Sequence, residues 1–397
     1  MSHSVVIEAL RTPRGAAKET GALHSVTPME LLAGVLRELA RRTGVDTNEV
    51  ADGVFGCVTQ TGEQGGNISK AACLLADWSP HLSAVTINRY CTSGLSAVNW
   101  AAQQARDVNG LAVAGGVEMM SRVPMFGDKV PYYTDRALGG RIGFVPPPWS
   151  SDLVATRNGF SREDCDGYAA LSQARALAAR NRGTARSMVP VLDAQGQLLL
   201  DHDENIRAGN NLEKLATLRP VYEAGANGLD DWGLAREPEL GQIQHVHTAG
   251  NAPCMADGAA AVLVGTAEAA TRLGLPVRAR ILAHADACVP LTQTGAVDAT
   301  HKALAKAGLS VADIDLWEVR DSFAAITLHY IRILGIPLEK FNVNGSSIAL
   351  GHPMGATGAM LVSCLLDEME ARDLRYGVAA LPGAFGVATA TVFERLR

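Results

Sequence analysis

The order of predicted strands and helices in the first third of the chain is repeated in the last third. In the first third, β-branched runs alternate with alanine-rich helical stretches at residues 4–10, 28–44, 52–60, 67–78, 83–88, 93–108 and 110–121. The last third repeats the alternation at residues 276–287, 300–310, 313–319, 322–335 and 341–370, and a predicted hairpin at 377–395 closes it. Such alternation is typical of β-α units. We therefore predict an α/β fold of two duplicated halves.

Each predicted half carries one reactive side chain in a turn between a strand and a helix that opens with small residues. Cys91 lies in NRYCTSGLSA (88–97), and His352 lies in the glycine-rich ALGHPMGATG (349–358). Two similar halves packed face to face would bring these turns together. The repeat thus predicts a composite site at the junction of the halves.

The stretch between the halves has a different composition, with a proline run, one amphipathic helix at 161–181 and an acidic, glycine-rich segment. This is typical of an inserted loop domain that covers a substrate. We predict a first half at 1–121 together with 246–272, a loop domain at 122–245 and a second half at 273–397.

Composition excludes several classes of function. The net charge is −6 and no Lys/Arg run is present, which argues against nucleic-acid binding. No signal peptide and no apolar window of about 18 residues is visible, so no membrane association is predicted. The 7 cysteines lack CxxC spacing. Neither a zinc site nor a disulfide framework is therefore expected, and the reducing cytoplasm is the predicted compartment.

Two interpretations of Cys91 are open from its position. At or near a helix N-terminus, the helix dipole and free N–H groups favour a thiolate and can hold an oxyanion. Alternatively, Cys91 is a small buried core residue. Burial in the core is the expectation for five other cysteines: Cys57, Cys73, Cys165, Cys288 and Cys364.

His352 lies between a glycine and a proline, in a loop whose glycines permit close approach to a ligand. With Cys91 it forms the minimal activated-thiol pair; the alternative is a solvated loop histidine. His245 and His247 alternate along QHVHTAGN. A third metal ligand is not evident beside them, so structural or substrate-facing roles are favoured and no metal is expected.

Eight stretches, in order and spacing, resemble the thiolase family over nearly the whole chain. They are VIEALRTPRG, TINRYCTSGLSAV, AGGVEMMSRVP, GFSREDCDGYAALSQARA, HTAGNAPCMADGAAAVLV, WEVRDSFA, NVNGSSIALGHPMGATGAM and FGVATATVFER. The resemblance implies a five-layer α-β-α-β-α sandwich of two duplicated halves plus a loop domain. It also implies a homodimer or homotetramer that takes coenzyme A thioesters as substrate or product and needs no cofactor. The HVHTAGN form is similar to a subgroup linked to steroid-ring degradation.

The resemblance implies that Cys91 attacks the acyl carbonyl and that His352 activates it. The chain departs from the family at two further places. Arg320 and Asp321 replace the asparagine and glutamate of the WE-x-N-E-A-F-A motif, where the asparagine holds an oxyanion-hole water. Arg320 could hydrogen-bond the oxyanion directly, or pair with Asp321 and only fill the site.

The second departure concerns the C-terminal acid/base cysteine of the family, which this chain lacks. Pro382 stands at that position in one register and Ala380 in another. Two glycines of the family's C-x-G-G-G-x-G motif are also lost, whereas Gly386 is retained as an oxyanion-hole candidate. Six positions are further candidates for substrate binding: Met120, Arg219, Ala249, Pro253, Phe323 and Gly351.

Four functions remain open from the sequence. The first is a thiolase-type acyltransferase on 3-ketoacyl-CoA or acyl-CoA with altered acid/base groups. The second is a condensing or acyl-transfer enzyme that passes an acyl group from Cys91 to another nucleophile. The third is an acyl-CoA hydrolase, and the fourth is a catalytically silent subunit that binds acyl-CoA or a partner. A hetero-partner that supplies the missing base also stays open.

Overall fold

The computed structural model describes residues 3–183 and 185–396. The strands are β1 (Ser4–Arg11), β2 (Gly15–Ala16), β3 (Val50–Gly56), β4 (Ser83–Ile87), β5 (Leu111–Met119), β6 (Val191–Leu192), β7 (Leu198–Leu200), β8 (Ala256–Thr266), β9 (Ala279–Cys288), β10 (Leu316–Val319), β11 (Tyr376–Pro382) and β12 (Val387–Arg395). The helices are α1 (Pro28–Thr43), α2 (Ile68–Leu75), α3 (Ser93–Asp107), α4 (Arg136–Ile142), α5 (Pro147–Asn158), α6 (Arg162–Arg182), α7 (Leu212–Ala216), α8 (Leu229–Leu234), α9 (Ala267–Arg272), α10 (Ala296–Ala307), α11 (Ala324–Leu334), α12 (Ser347–Leu350) and α13 (Thr357–Ala371).

Local sequence signals fix the ends of the helices, as α1 illustrates. The hydroxyl of Thr27 accepts from the Glu30 N–H at 3.3 Å, and the Glu30 carboxylate accepts from the Thr27 N–H at 3.1 Å. This capping box satisfies backbone donors that a helix start leaves free. Gly44 ends the helix in the left-handed conformation, with φ 65°. The helix predicted at 28–44 is therefore confirmed.

The sheets of the two halves are joined into one continuous order of hydrogen-bonded strands. Its order is β10-β11-β12-β9-β1-β8-β5-β3-β4, and β2 pairs with β8 outside this path. The first half contributes β4, β3, β5, β8 and β1, and the second contributes β9, β12, β11 and β10. The halves join where Ser4, Val5 and Val6 of β1 pair antiparallel with residues 279–281 of β9. The closing hairpin of β11 and β12 is antiparallel, as predicted.

The strands alternate their side chains between separate cores, and this alternation builds the layers. On β1, Val5 and Ile7 join a core with α1, whereas Val6 joins a core with α3 and α13. On β11, Ala379 joins that same middle core, whereas Val378 joins a third core with α10 and α11. The layers are thus helix, sheet, helix, sheet, helix. The predicted α/β class and the five-layer sandwich are confirmed.

The strand predicted at the start of 341–370 is wrong. Residue 341 makes only an isolated bridge to Trp317, and the chain then turns into the short α12. The physical reason is the side chain of Asn342, whose Oδ1 accepts from the Val319 N–H at 2.8 Å and whose Nδ2 donates to the Val319 carbonyl at 2.8 Å. One amide thus satisfies the backbone groups that a neighbouring strand would pair.

The segment 122–245 carries α4 to α8 and the small β6–β7 hairpin. A buried ion pair between Arg11 of β1 and Asp203, at 2.8 Å, connects it to the sheet. Its treatment as a separate loop domain, with the boundaries given above, stays a prediction. Across residues 3–183 and 185–396, none of the helices combines the length and apolarity that crossing a membrane requires.

Candidate active site

The N-termini of α3 and α13 touch backbone to backbone. A methyl group at Gly94 would lie 2.7 Å from the Gly355 carbonyl oxygen, and one at Gly358 would lie 2.0 Å from the Leu95 nitrogen. Only glycine fits at such an approach. Because Cys91 lies three residues before Gly94 and His352 lies three residues before Gly355, the two reactive turns are brought to one place.

The turn that carries Cys91 is held in an unusual backbone conformation. Tyr90 has φ 49°, in the left-handed region that non-glycine residues rarely adopt. The Asn88 side chain accepts from the Tyr90 N–H at 2.8 Å, and the Ser93 hydroxyl donates to the Tyr90 carbonyl at 2.6 Å. These bonds offset the backbone strain. They leave Cys91 partly exposed, two residues before the first residue of α3.

Hydrogen bonds fix the proton of His352 on one ring nitrogen. The Thr357 hydroxyl donates to the Pro353 carbonyl at 2.9 Å, so its oxygen can only accept at the 2.7 Å contact with Nδ1 of His352. Nδ1 therefore carries the proton, and buried Nε2 has a free lone pair and no partner among the described residues. Burial, with the positive charges of Arg320 and Arg14 adding to it, holds the pKa of His352 well below its ordinary value. The imidazole is thus a neutral base.

Arg320 follows directly after β10, and its side chain is buried. Its Nη1 donates to the Pro382 carbonyl at 2.6 Å, and its positive charge contributes to the lowered pKa of His352. The pair with Asp321, one of the two interpretations left open by the sequence, is not formed. The Asp321 carboxylate instead accepts from Tyr168 at 2.6 Å, Asn342 at 2.8 Å and Ser172 at 3.3 Å. The buried guanidinium is therefore anchored to the Pro382 backbone rather than to the Asp321 carboxylate.

The loop Pro382–Gly386 closes the site without offering an acid or base, since its residues are Pro, Gly, Ala, Phe and Gly. A methyl at Gly383 would lie 3.3 Å from the Thr92 side chain, so the loop packs next to Cys91. Gly386 has φ 77°, and a methyl there would lie 1.7 Å from the Val289 carbonyl oxygen. Ala380 belongs instead to the outer core of the second half. Both candidate replacements contact Arg320 through their backbone, since the Ala380 carbonyl accepts from the Arg320 N–H at 3.0 Å and the Pro382 carbonyl accepts from Nη1, so the choice between them stays a prediction.

Two family models match the chain: the N-terminal domain of thiolase over residues 4–229 and the C-terminal domain of thiolase over residues 275–395. The chain belongs to the thiolase family. Similar curated proteins include 3-ketoacyl-CoA thiolases of Shewanella loihica, 37% identical over 406 residues, and of Pectobacterium carotovorum, 38% identical over 410 residues. Each alignment covers 100% of both chains. Thiolases use coenzyme A as a substrate and need no metal or other cofactor.

The remaining positions predicted to bind substrate in this thiolase fall into two groups. Met120 is buried with Val58 and Met354 and packs against Tyr90, beside Cys91. Gly351 and Phe323 are also buried. In contrast, Arg219 and Ala249 are exposed and Pro253 is partly exposed, at the surface of the segment that precedes β8. Their roles stay predictions.

His245 and His247 are tied to carboxylates rather than left free to ligate. Nδ1 of His245 lies 2.8 Å from Asp152 and its Nε2 lies 3.0 Å from Asp230, whereas Nδ1 of His247 lies 2.7 Å from Asp152. The structural interpretation of both residues is therefore favoured. Within the two described ranges, no group of three or more His, Cys, Asp or Glu side chains is placed to hold a metal ion.

An aromatic cluster links this centre to the 122–245 segment, and the sequence pattern did not reveal it. The Tyr90 hydroxyl lies 2.9 Å from that of Tyr132, and the Phe385 ring lies 5.5 Å from both Tyr rings and 5.2 Å from Phe144. Tyr132 and Phe144 also line a cavity of about 400 Å³. The cluster joins residues distant in the chain, so only the fold could show it.

The prediction that Cys288 is a buried core residue is wrong. Cys288 is exposed at the end of β9, where its thiol donates to the Phe385 carbonyl at 3.3 Å. Cys364 is partly exposed, whereas Cys57, Cys73 and Cys165 are buried as expected. All 7 cysteines lie in the described ranges and are free.

Proposed function

We propose that this thiolase is an acyl-CoA acyltransferase that acts on 3-ketoacyl-CoA or acyl-CoA through an acyl-Cys91 intermediate. The observation that carries the proposal is the buried, unpartnered Nε2 of His352, with its lone pair fixed by Thr357 and Pro353 next to the turn of Cys91. A neutral imidazole in that tautomer can accept a thiol proton at once. In a catalytically silent subunit, an imidazole oriented in this way would have no chemical role.

Arg320 is proposed to stabilise the oxyanion that forms when Cys91 attacks a thioester. Its guanidinium is a rigid, permanently charged donor, and its buried Nε has no partner among the described residues. A donor aimed at a developing oxyanion is typically worth about 10²–10³-fold in kcat. In this proposal Arg320 takes over the role that a water on asparagine has in the family.

The acylation step needs only these groups. The Cys91 thiol gives its proton to His352 Nε2, the sulfur attacks the acyl carbon, and the bond from that carbon to the sulfur of CoA breaks. The CoA thiolate leaves and takes up the proton. With a 3-ketoacyl-CoA, a carbon–carbon bond breaks instead, and the acetyl-CoA enolate needs a proton. In the loop Pro382–Gly386, no side chain can supply one.

The same loop favours a second candidate, an acyl-transfer or condensing enzyme. An enzyme that generates its carbanion by loss of CO₂ needs no group to remove an α-proton. The acyl-Cys91 intermediate would then pass its acyl group to another nucleophile. This alternative shares Cys91, His352 and Arg320 with the first and differs only in the second half-reaction.

The cavity of about 400 Å³ is proposed to receive part of the CoA thioester. Its wall contains Tyr132, Phe144 and Trp232, an apolar surface that suits an acyl chain or a pantetheine arm. Arg136 lies on the same wall and donates to the Asn227 carbonyl. The aromatic cluster around Phe385 connects this wall to Tyr90 and hence to Cys91.

We also propose that the protein forms a homodimer or homotetramer and works in the cytoplasm. β4 is an edge strand of the sheet, and Val85 on it is 45% exposed. An exposed apolar edge of this kind is suited to pairing with a second copy. The free state of all 7 cysteines agrees with a reducing compartment.

Restoring the missing acid/base group tests the altered machinery. We expect Pro382→Cys to raise the rate of acetyl-CoA release from a 3-ketoacyl-CoA plus CoA, by about 10²-fold or more, because a positioned acid/base contributes that much. Pro382→Ala is the matched control, since it removes the ring without adding a thiol. Rapid cleavage by wild type, or an equal gain in both variants, would contradict the proposal.

A further inference from the structure

A second cavity, of about 340 Å³, lies where β1, α6 and α13 meet. Neither Cys91 nor His352 lines it. Its wall includes Arg11, Arg14, Asp203, Glu318, Cys364 and Asp367. Apart from the contribution of the Arg14 charge to the lowered pKa of His352, nothing in the proposed acyl transfer uses these residues, so their arrangement needs another explanation.

Most of the charges in this wall are paired. Arg11 binds both oxygens of Asp203, at 2.8 and 3.0 Å. Asp367 accepts from Arg278 at 2.8 Å, and Glu368 is paired with Arg372. Buried charges that are paired in this way need no further partner.

Arg14 is the exception. Its side chain is fully buried, and Nε, Nη1 and Nη2 all lack a hydrogen-bond partner among the described residues. Only its backbone is engaged, since the Arg14 N–H donates to Asp203 at 2.8 Å. A buried guanidinium with no partner is strongly unfavourable. A ligand that accepts these hydrogen bonds would remove that cost.

Glu318 of β10 faces the same cavity. Its Oε1 is buried and has no partner among the described residues. Burial, followed by the neighbouring carboxylate of Glu368, raises the pKa of Glu318 to about 8. At neutral pH it is mostly an uncharged acid with a proton to donate, so it does not neutralise Arg14.

We propose that this cavity is a binding site for a small monovalent oxyanion of the carboxylate type, held by Arg14 with Glu318 as a second donor. The planar guanidinium matches two oxygens of a carboxylate. Arg14 offers three donor nitrogens that have no partner among the described residues, and Asp203 already offsets part of its positive charge. The carboxylates of Asp203 and Asp367 would repel a second negative charge, so a dianion such as hydrogen phosphate is disfavoured.

The site is tested by calorimetric titration of the purified full chain with sodium acetate at pH 7, in a chloride-free buffer of constant ionic strength. We expect saturable binding of one acetate, weaker binding of phosphate, and acetate binding weakened about tenfold or more in Arg14→Met. Arg180→Met is the control, because Arg180 lies exposed at the same cavity and should leave acetate binding unchanged.

A second variant keeps all the charges and blocks the space instead. Ala179, which lines the cavity, is changed to Phe, and circular dichroism checks that each variant is folded. We expect acetate binding to weaken in Ala179→Phe as well. The proposal is overturned if wild type shows no saturable acetate binding, if phosphate binds more tightly, or if folded Arg14→Met or Ala179→Phe binds acetate as wild type does.

Discussion

At the scale of single residues, Cys91 and His352 could be found in the sequence because each stands in a polar or glycine-rich turn before a helix that opens with small residues. Other roles could not be found there. The orientation of Thr357 toward Nδ1 of His352 and the burial of Arg14 depend on how distant segments fold. Only the structure could show whether Arg320 pairs with Asp321, because a paired and an unpaired Arg320 both fit the sequence EVRD.

The tautomer of His352 gives a prediction at this scale. Thr357→Val removes the acceptor of the Nδ1 proton and leaves a buried donor unsatisfied. We expect acylation of Cys91 to slow by about tenfold or more, since an unsatisfied buried group costs about 1–3 kcal/mol. Single-turnover acylation measures this. Thr357→Ser, which keeps the hydroxyl, should retain most of the rate, and equal loss in both variants would argue against the tautomer assignment.

At the scale of elements, the sequence predicted most helices and strands from their periodicity and caps, but a strand that it predicted beside β10, at the start of 341–370, does not form. The residues after Phe341 were predicted to form a strand because their composition suits one. The chain instead uses the side chain of Asn342 where the first half uses β4. When the side chain of one asparagine takes the place of a whole strand, no periodic pattern of apolar residues in the sequence reveals it.

Asn342→Ala tests whether the side chain of Asn342 takes the place of that strand. It leaves the N–H of Val319 without its side-chain partner in the core and removes one donor from Asp321, whereas the Val319 carbonyl still accepts from the Ser346 hydroxyl at 3.0 Å. We expect the free energy of unfolding to fall by about 1–3 kcal/mol, which corresponds to one unsatisfied buried group. Urea unfolding measures the loss. Asn344→Ala, at a nearby position outside this network, is the control; a similar small loss in both would contradict the role given to Asn342.

His245 gives a prediction about pH at the same scale. Burial lowers its pKa, but the carboxylates of Asp152 and Asp230 outweigh burial and raise the pKa above its ordinary 6.5. The ion pairs of protonated His245 with these carboxylates therefore stabilise the folded state fully below about pH 6.5. This stabilisation is lost as the pH rises through the folded-state pKa of His245. The stability advantage of wild type over His245→Asn should shrink above neutral pH. Urea unfolding at pH 5.5 to 9 measures it, and an advantage that grows with pH would contradict the assignment.

At the scale of the whole molecule, the duplicated order of elements predicted the α/β class and two similar halves that pack together, whereas the five layers were implied by the resemblance to thiolases. It could not predict that the sheets join through β1 and β9, which rests on only three residue pairs. Nor could it predict the cavity around Arg14, which is formed by residues from widely separated parts of the chain. What the fold adds is the contact of α3 and α13 that places the two reactive turns together.

Intact-protein mass after mixing with a short acyl-CoA tests the central claim most directly. The account predicts one acyl group on wild type and on Cys288→Ala, and none on Cys91→Ala. Cys288 is the matched control because it is exposed and lies against the same loop. An adduct that persists in Cys91→Ala, or its absence from folded wild type with every acyl-CoA tried, would contradict the claim that Cys91 is the acylated nucleophile.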